Sequence, residues 1–285
     1  GTKFIAHAIH YEGDPWDIVA DGSVVKQSTP LAIIITLPAT GSEMNQRGVI
    51  SWRKMNKKQG FYTDHSFPQF SILDPQVCYS LPRKQIANGV VDSFMHVSEQ
   101  YMTRSNQSLV MERWAEGILA TLIEVGPKVI EEPTNYDYMS NYMLSATLAL
   151  NDMISMGVVQ DWAAHRIGYE LTIYYNLAHA ETLAVIYPAL LREMKPYKQE
   201  RLAQFAVRVL GKSKTTEETV LADEAIDFIE SFFRSLGLRT RLSEYGLTEK
   251  DLAFIEEKWV ERDFKLGEEG RVTPEVGKRI LQRCK

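Results

Sequence analysis

The stretch Gln85-Ile-Ala-Asn-Gly-Val-Val-Asp-Ser-Phe-Met-His96 marks a change of texture in the chain. Its apolar residues recur at three- and four-residue spacing, the pattern of a helix. Val90, Val91, Phe94, Met95 and Val97 make it apolar nearly all round, as in a helix buried inside a core. Asp92 and His96 stand four apart, so on that helix they share a face and can aim at one point. A carboxylate in such surroundings is costly unless it is paired, hydrogen-bonded or bound to a metal. Taken alone, the pair reads more readily as a helix cap or a local Asp–His hydrogen bond than as two ligands. His165 and His179 add two imidazoles in apolar settings, and each alone reads more readily as a satisfied core histidine than as a ligand.

Downstream of this stretch the same periodicity predicts helices over 83–103, 108–131, 136–156, 159–175, 179–194, 197–210, 216–236, 247–260 and 273–284. Breaks are expected at Glu132-Pro133, Lys195-Pro196, Gly211, Gly237 and Gly246. Upstream, Leu31-Ala-Ile-Ile-Ile-Thr-Leu37 reads as a parallel strand buried on both faces. It opens into the turn-rich Pro38-Ala-Thr-Gly-Ser-Glu43, where Gly41 permits close backbone approach and Thr40 and Ser42 offer hydroxyls to a phosphate or amide. A second strand is expected over Gln69–Leu73, and the domain boundary falls near Pro82. The reading is therefore mainly α, with residues 1–82 as part of an α/β domain and 83–285 as a helical domain.

Composition bounds the function. The 285 residues are 45% hydrophobic and 24% charged, which suffices for one large or two smaller cores. A net charge of -5 with scattered Lys and Arg argues against a nucleic-acid partner. Two distant cysteines, Cys78 and Cys284, imply neither a disulfide framework nor a thiolate zinc site, and fit a reducing cytoplasm. The longest apolar run, 31–37, is too short to span a bilayer, so no membrane partner is expected.

The segments Thr36-Leu-Pro-Ala-Thr-Gly-Ser-Glu43, Ile72-Leu-Asp-Pro75, Leu81-Pro82, Gln85 to His96, Ala164-His165 and Ala178-His179-Ala180 closely resemble the iron-containing alcohol dehydrogenases, in particular the NADPH-dependent aldehyde reductase and butanol dehydrogenase branch. The resemblance runs from residue 1 to the C-terminus. It implies a dehydroquinate synthase-like architecture, with a dinucleotide-binding α/β domain followed by an all-helical metal-binding domain. The metal ligands it implies are Asp92, His96, His165 and His179, holding Fe(II) or Zn. Three neutral nitrogens and one anionic oxygen suit both ions, leave room for a substrate oxygen and are lost to acid when the histidines protonate. Cofactor contacts are implied for Thr36, Thr40, Ser42, Asn45 and Lys58, with NADP(H) as cofactor and NAD(H) as the other possibility. The implied reaction moves hydride between nicotinamide and a small aldehyde or primary alcohol, with no catalytic residue beyond the metal centre. The intact protein is expected to be a homodimer.

Two departures from the family pattern shape the expectations. The sequence begins at Gly1-Thr-Lys-Phe-Ile-Ala6, which in the family follows directly on a Gly-Gly-Gly-Ser phosphate-binding turn and an aspartate. Without that turn, weak or no NADPH binding, exposed apolar strand edges and a tendency to aggregate are expected of residues 1–285. Tyr169 stands where many relatives carry a non-ligating histidine, and a phenol is a poor proton carrier at neutral pH. Two rival readings remain at this point, a cofactor-independent metal-binding remnant and a metal hydrolase. The latter needs a general base that the sequence does not clearly place. His7 and His10 read as residues decorating a helix end, His65 as a surface loop residue, and Trp162 as a pocket wall or core residue.

Overall fold

The computed structural model describes residues 1–104 and 108–285. Short elements come first: α1 (Thr2–Ala8), α2 (Trp16–Ala20), β1 (Ala32–Ile34), β2 (Arg47–Trp52), β3 (Lys57–Tyr62) and β4 (Phe70–Ile72). Eight longer helices follow: α3 (Arg83–Tyr101), α4 (Leu109–Glu131), α5 (Tyr136–Ala149), α6 (Ala163–Tyr175), α7 (His179–Arg208), α8 (Glu218–Ser235), α9 (Glu249–Arg262) and α10 (Pro274–Arg283).

β1 and β4 pair in parallel, Ala32 opposite Phe70 and Ile34 opposite Ile72, so the two expected strands are present and adjacent. Their burial differs from expectation. Ile34 is 58% exposed and Phe70 61%, because each strand has a single hydrogen-bonded neighbour and no described element covers their outer sides. The antiparallel hairpin of β2 and β3, with Arg47 opposite Tyr62, was not foreseen. Its run Lys57-Lys-Gln-Gly-Phe-Tyr62 mixes charge and glycine in a way that hides strand periodicity. A small cluster of Ile18, Val19, Val25 and Phe61 holds this hairpin to α2.

α3 is the axis of the helical part. It starts directly after Pro82, whose carbonyl accepts the Gln85 and Ile86 N–H groups, and it is buried almost throughout. Phe94 points from it into an aromatic cluster with Phe205, Phe232 and Phe233. That cluster joins α3 to α7 and α8.

Three helix boundaries depart from the sequence reading. The break at Lys195-Pro196 is absent: α7 runs unbroken for 30 residues with Pro188 and Pro196 inside it. An interior proline costs about 3 kcal/mol. α7 offsets this by burying Leu183, Ile186, Leu190, Leu191 and Met194 on one side of Pro196 and Leu202 and Phe205 on the other, at roughly 1.5–3 kcal/mol per large apolar side chain. α5 ends at Ala149 instead of 156, and α6 starts at Ala163 instead of 159. Between them Asp152 adopts a positive φ of 69° and turns its carboxylate to Gln46 and Arg47 of the hairpin, so a tertiary contact ends the helix early. Gly41, with φ 58°, lies against the end of α5, where an added Cβ would stand 3.1 Å from the Thr147 carbonyl oxygen.

Candidate metal centre and active-site cleft

Four ionisable side chains meet beside α3. Asp92 and His96 project from its middle, His165 from the first turn of α6, and His179 is the first residue of α7. The Glu181 carboxylate accepts the Ala178 N–H at 3.0 Å and so fixes the entry to α7. Around Asp92 Oδ1 lie His96 Nε2 at 3.7 Å, His179 Nε2 at 3.7 Å and His165 Nε2 at 3.9 Å. Donor atoms of Asp92, His96 and His165 all fall within 4.8 Å of one another.

Asp92 Oδ1 and His165 Nε2 are buried and have no hydrogen-bond partner among the described residues. Leaving such groups unpaired costs roughly 1–3 kcal/mol each, more for a charge. The donors of Asp92, His96 and His165 lie close enough together to share one cation, and His179 Nε2 faces the same Asp92 oxygen, so a cation would be held by these groups and would satisfy the unpaired ones. The donor set therefore fits a divalent metal. Burial pushes His165 and His179 down to about 3, which keeps both imidazoles neutral and their lone pairs free.

These shifts fix a pH dependence. Between 6.5 and about 3 the unfolded chain protonates both histidines while the folded chain does not, so metal-free protein is expected to lose stability as pH falls through that window. Glu99, pushed up to about 8 by burial, contributes in the opposite sense between 8 and 4.5, and the loss should be steepest below 4.5. Thermal melts of metal-free protein across this range check it. A midpoint that holds or rises on acidification contradicts it.

The centre is walled unevenly. The side chains of Asp92, His96 and His165 are 5–9% exposed, whereas that of His179 is 30% exposed, so access runs past His179. Trp162 borders the centre, its ring 5.2 Å from that of His165 and 6.1 Å from that of His96. Tyr169 lies 6.1 Å from the His179 ring, and Lys58 of β3 sets its ammonium 4.8 Å from the centre of the Tyr169 ring. Burial pushes the Lys58 ammonium down while Asp92 pulls it up. The lysine thus belongs to the same cleft.

The loop after β1 packs on α3 beside Asp92. Ser93, next to Asp92, donates its hydroxyl to the carbonyls of Gly89 (2.8 Å) and Ala39 (3.3 Å), and Tyr142 donates to the Pro38 carbonyl. Thr36 and Thr40 are exposed and Ser42 half-buried. Asn45 is different: its amide donates to the carbonyls of Thr40 and Leu150, both at 2.9 Å, and its oxygen accepts from Lys3 (3.0 Å) and the Arg47 N–H (3.1 Å). Its side chain braces the loop from within. His7 is buried, its Nε2 2.6 Å from the Ser66 hydroxyl, so it is a core residue and does not decorate a helix end. His10 and His65 are exposed.

Sequence reasoning missed Glu99. It is fully buried; its carboxylate takes the Ala164 N–H at 2.7 Å and is hydrogen-bonded to His165 Nδ1. The signal was its place seven residues after Asp92 and three after His96, on the same face of α3.

Two family profiles match the chain: iron-containing alcohol dehydrogenase over residues 1–75 and the C-terminal region of the Fe-containing alcohol dehydrogenase family over residues 86–273. The chain belongs to the iron-containing alcohol dehydrogenase family. It is 44% identical to the NADPH-dependent aldehyde reductase YqhD of Escherichia coli K12 over 100% of its own length and 74% of that protein. It is 38% identical to a probable NADH-dependent butanol dehydrogenase of Bacillus subtilis, over 90% of this chain and 67% of that one. Among solved structures, E. coli YqhD superimposes with a TM-score of 0.95, covering 100% of this chain and 74% of YqhD. The NADH-dependent butanol dehydrogenase A of Thermotoga maritima, 30% identical, superimposes with a TM-score of 0.91 over 99% of this chain and 72% of that one. The family assignment expected from the motifs therefore holds, as does the mainly helical fold.

Proposed function

We propose that this oxidoreductase reduces small aldehydes to primary alcohols, and runs in reverse, with a divalent metal held by Asp92, His96, His165 and His179 and with NADP(H) as hydride carrier. The observation that carries the reading is the buried, unpartnered Asp92 oxygen facing three imidazole nitrogens at 3.7–3.9 Å. Fe(II) and Zn both suit these donors. When bound, the metal supplies Lewis acidity that polarises a carbonyl oxygen and offsets the negative charge developing there.

The chain's own residues set the conditions for that chemistry. Asp92 and His96 offer donors from one face of α3, and burial keeps His165 and His179 neutral. Trp162 and Tyr169 wall the cleft and exclude water from the hydride path, while the His179 side admits substrate. Thr36, Thr40 and Ser42 offer hydroxyls, and Lys58 an ammonium, to the nicotinamide cofactor; Asn45 holds their loop in shape. Residues 1–82 act as the cofactor-binding part and 83–285 as the metal-binding part. NADP(H) takes precedence over NAD(H) because YqhD, an NADPH-dependent reductase, is 44% identical over the whole chain. The same whole-length similarity disfavours a cofactor-independent remnant. Both cysteines are buried and free, in keeping with a reducing cytoplasm, and a homodimer is the assembly we propose.

Reconstitution with Fe(II) or Zn and assay of small linear aldehydes by loss of nicotinamide absorbance tests the proposal. Chelator-sensitive turnover is expected with NADPH. Stoichiometric metal with no aldehyde-dependent oxidation of either NADPH or NADH sinks it. Lys58→Ala should raise the KM for NADPH about tenfold with little change in kcat, as befits one lost charge-assisted contact. An unchanged KM removes Lys58 from the cofactor site.

A further inference from the structure

Glu99 reaches His165 from the side away from the centre. Its residue is 1% exposed, and its two carboxylate oxygens converge on the start of α6, one on the Ala164 N–H at 2.7 Å and the other on His165 Nδ1. Its backbone carbonyl accepts the Asp161 N–H at 3.0 Å. Asp161 in turn accepts the Ala163 N–H at 2.9 Å and the Lys198 ammonium at 2.9 Å, while Lys198 also donates to the Met102 carbonyl at 2.7 Å. Two carboxylates thus grip the first turn of α6, and one of them touches the imidazole. An imidazole held through Nδ1–H by a carboxylate presents its Nε2 lone pair, and here Nε2 is the nitrogen that has no hydrogen-bond partner among the described residues and lies 3.9 Å from Asp92 Oδ1.

We infer that Glu99 is a positioning residue that selects the Nδ1–H tautomer of His165 and aims Nε2 at the metal. The inference rests on the metal reading above. The competing role is purely structural, a cap for α6, and Asp161 serves as the control because it caps the same turn without touching the ring. Glu99→Gln preserves size and one acceptor oxygen but puts an amide nitrogen in place of the second carboxyl oxygen; Asp161→Asn does the same one step away.

Competition of Zn against a chromophoric chelator gives the first readout. Glu99→Gln is expected to bind Zn about 10- to 100-fold more weakly than wild type, while Asp161→Asn lowers the melting temperature and leaves Zn affinity as in wild type. Nitrogen NMR of the histidine rings in metal-free wild-type protein, in mildly alkaline buffer, gives the second and needs no variant to fold. His165 is expected as the Nδ1–H tautomer there. Zn affinity of Glu99→Gln equal to wild type, equal losses in both variants, or an Nε2–H tautomer in wild type each overturn the inference. If wild type binds no Zn, the metal reading itself fails, and the tautomer measurement still decides the role of Glu99.

Discussion

His179→Ala is expected to lose bound metal and to lower kcat/KM roughly a thousandfold or more. Its imidazole stands 3.7 Å from Asp92 Oδ1 and is the most exposed of the four, so truncation removes a donor without opening a hole in the core. The lost Lewis acidity is worth several kcal/mol of transition-state stabilisation, and each 1.36 kcal/mol is a factor of ten in rate. The α7 entry should survive, since the Glu181 contact to the Ala178 N–H does not depend on the ring. Metal content by elemental analysis, beside turnover of the metal-supplemented variant, checks the prediction. Unchanged metal content and turnover would remove His179 from the site.

Phe94→Ala carries the largest expected cost in stability, about 3–5 kcal/mol, because it leaves a cavity where Phe205, Phe232 and Phe233 converge. Phe94 is fully buried and sits between Asp92 and His96 in sequence, on the opposite side of α3. Denaturant unfolding measures the loss. Added metal should recover part of it, since a ligand bound only by the folded state stabilises it in proportion to the logarithm of its concentration. A loss below about 1 kcal/mol would mean that the aromatic cluster closes over the gap at little cost.

Much of this architecture was legible in the residues, for physical reasons that differ from place to place. α3 was clear because a nearly all-apolar helix with two ionisable groups four apart leaves few alternatives. The union of Asp92 and His96 with His165 and His179 was not readable from spacing, since α6 and α7 meet α3 only through tertiary packing; the motif resemblance supplied it. Local propensity misjudged Pro196, where burial along both halves of α7 outweighs the proline. It also misjudged residues 150–156, where Asp152 leaves the helix to meet Arg47. Asn45 looked like a ligand-facing amide, but its four hydrogen-bonding positions are taken by Lys3, Thr40, Arg47 and Leu150, two of them distant in sequence, so it braces the loop. Glu99 was overlooked because one buried acid among helical residues carries no motif of its own.

The hydroxyl of Ser93 has a mechanical consequence. Riveted between the Gly89 and Ala39 carbonyls, it locks the loop of Thr40 and Ser42 to the very turn of helix that bears Asp92. The loop that carries Thr40 and Ser42 and the helix turn that carries Asp92 are then held at one joint. A shift of that loop is thereby passed straight to the stretch of α3 from which the carboxylate projects, with no intervening side chain to absorb it.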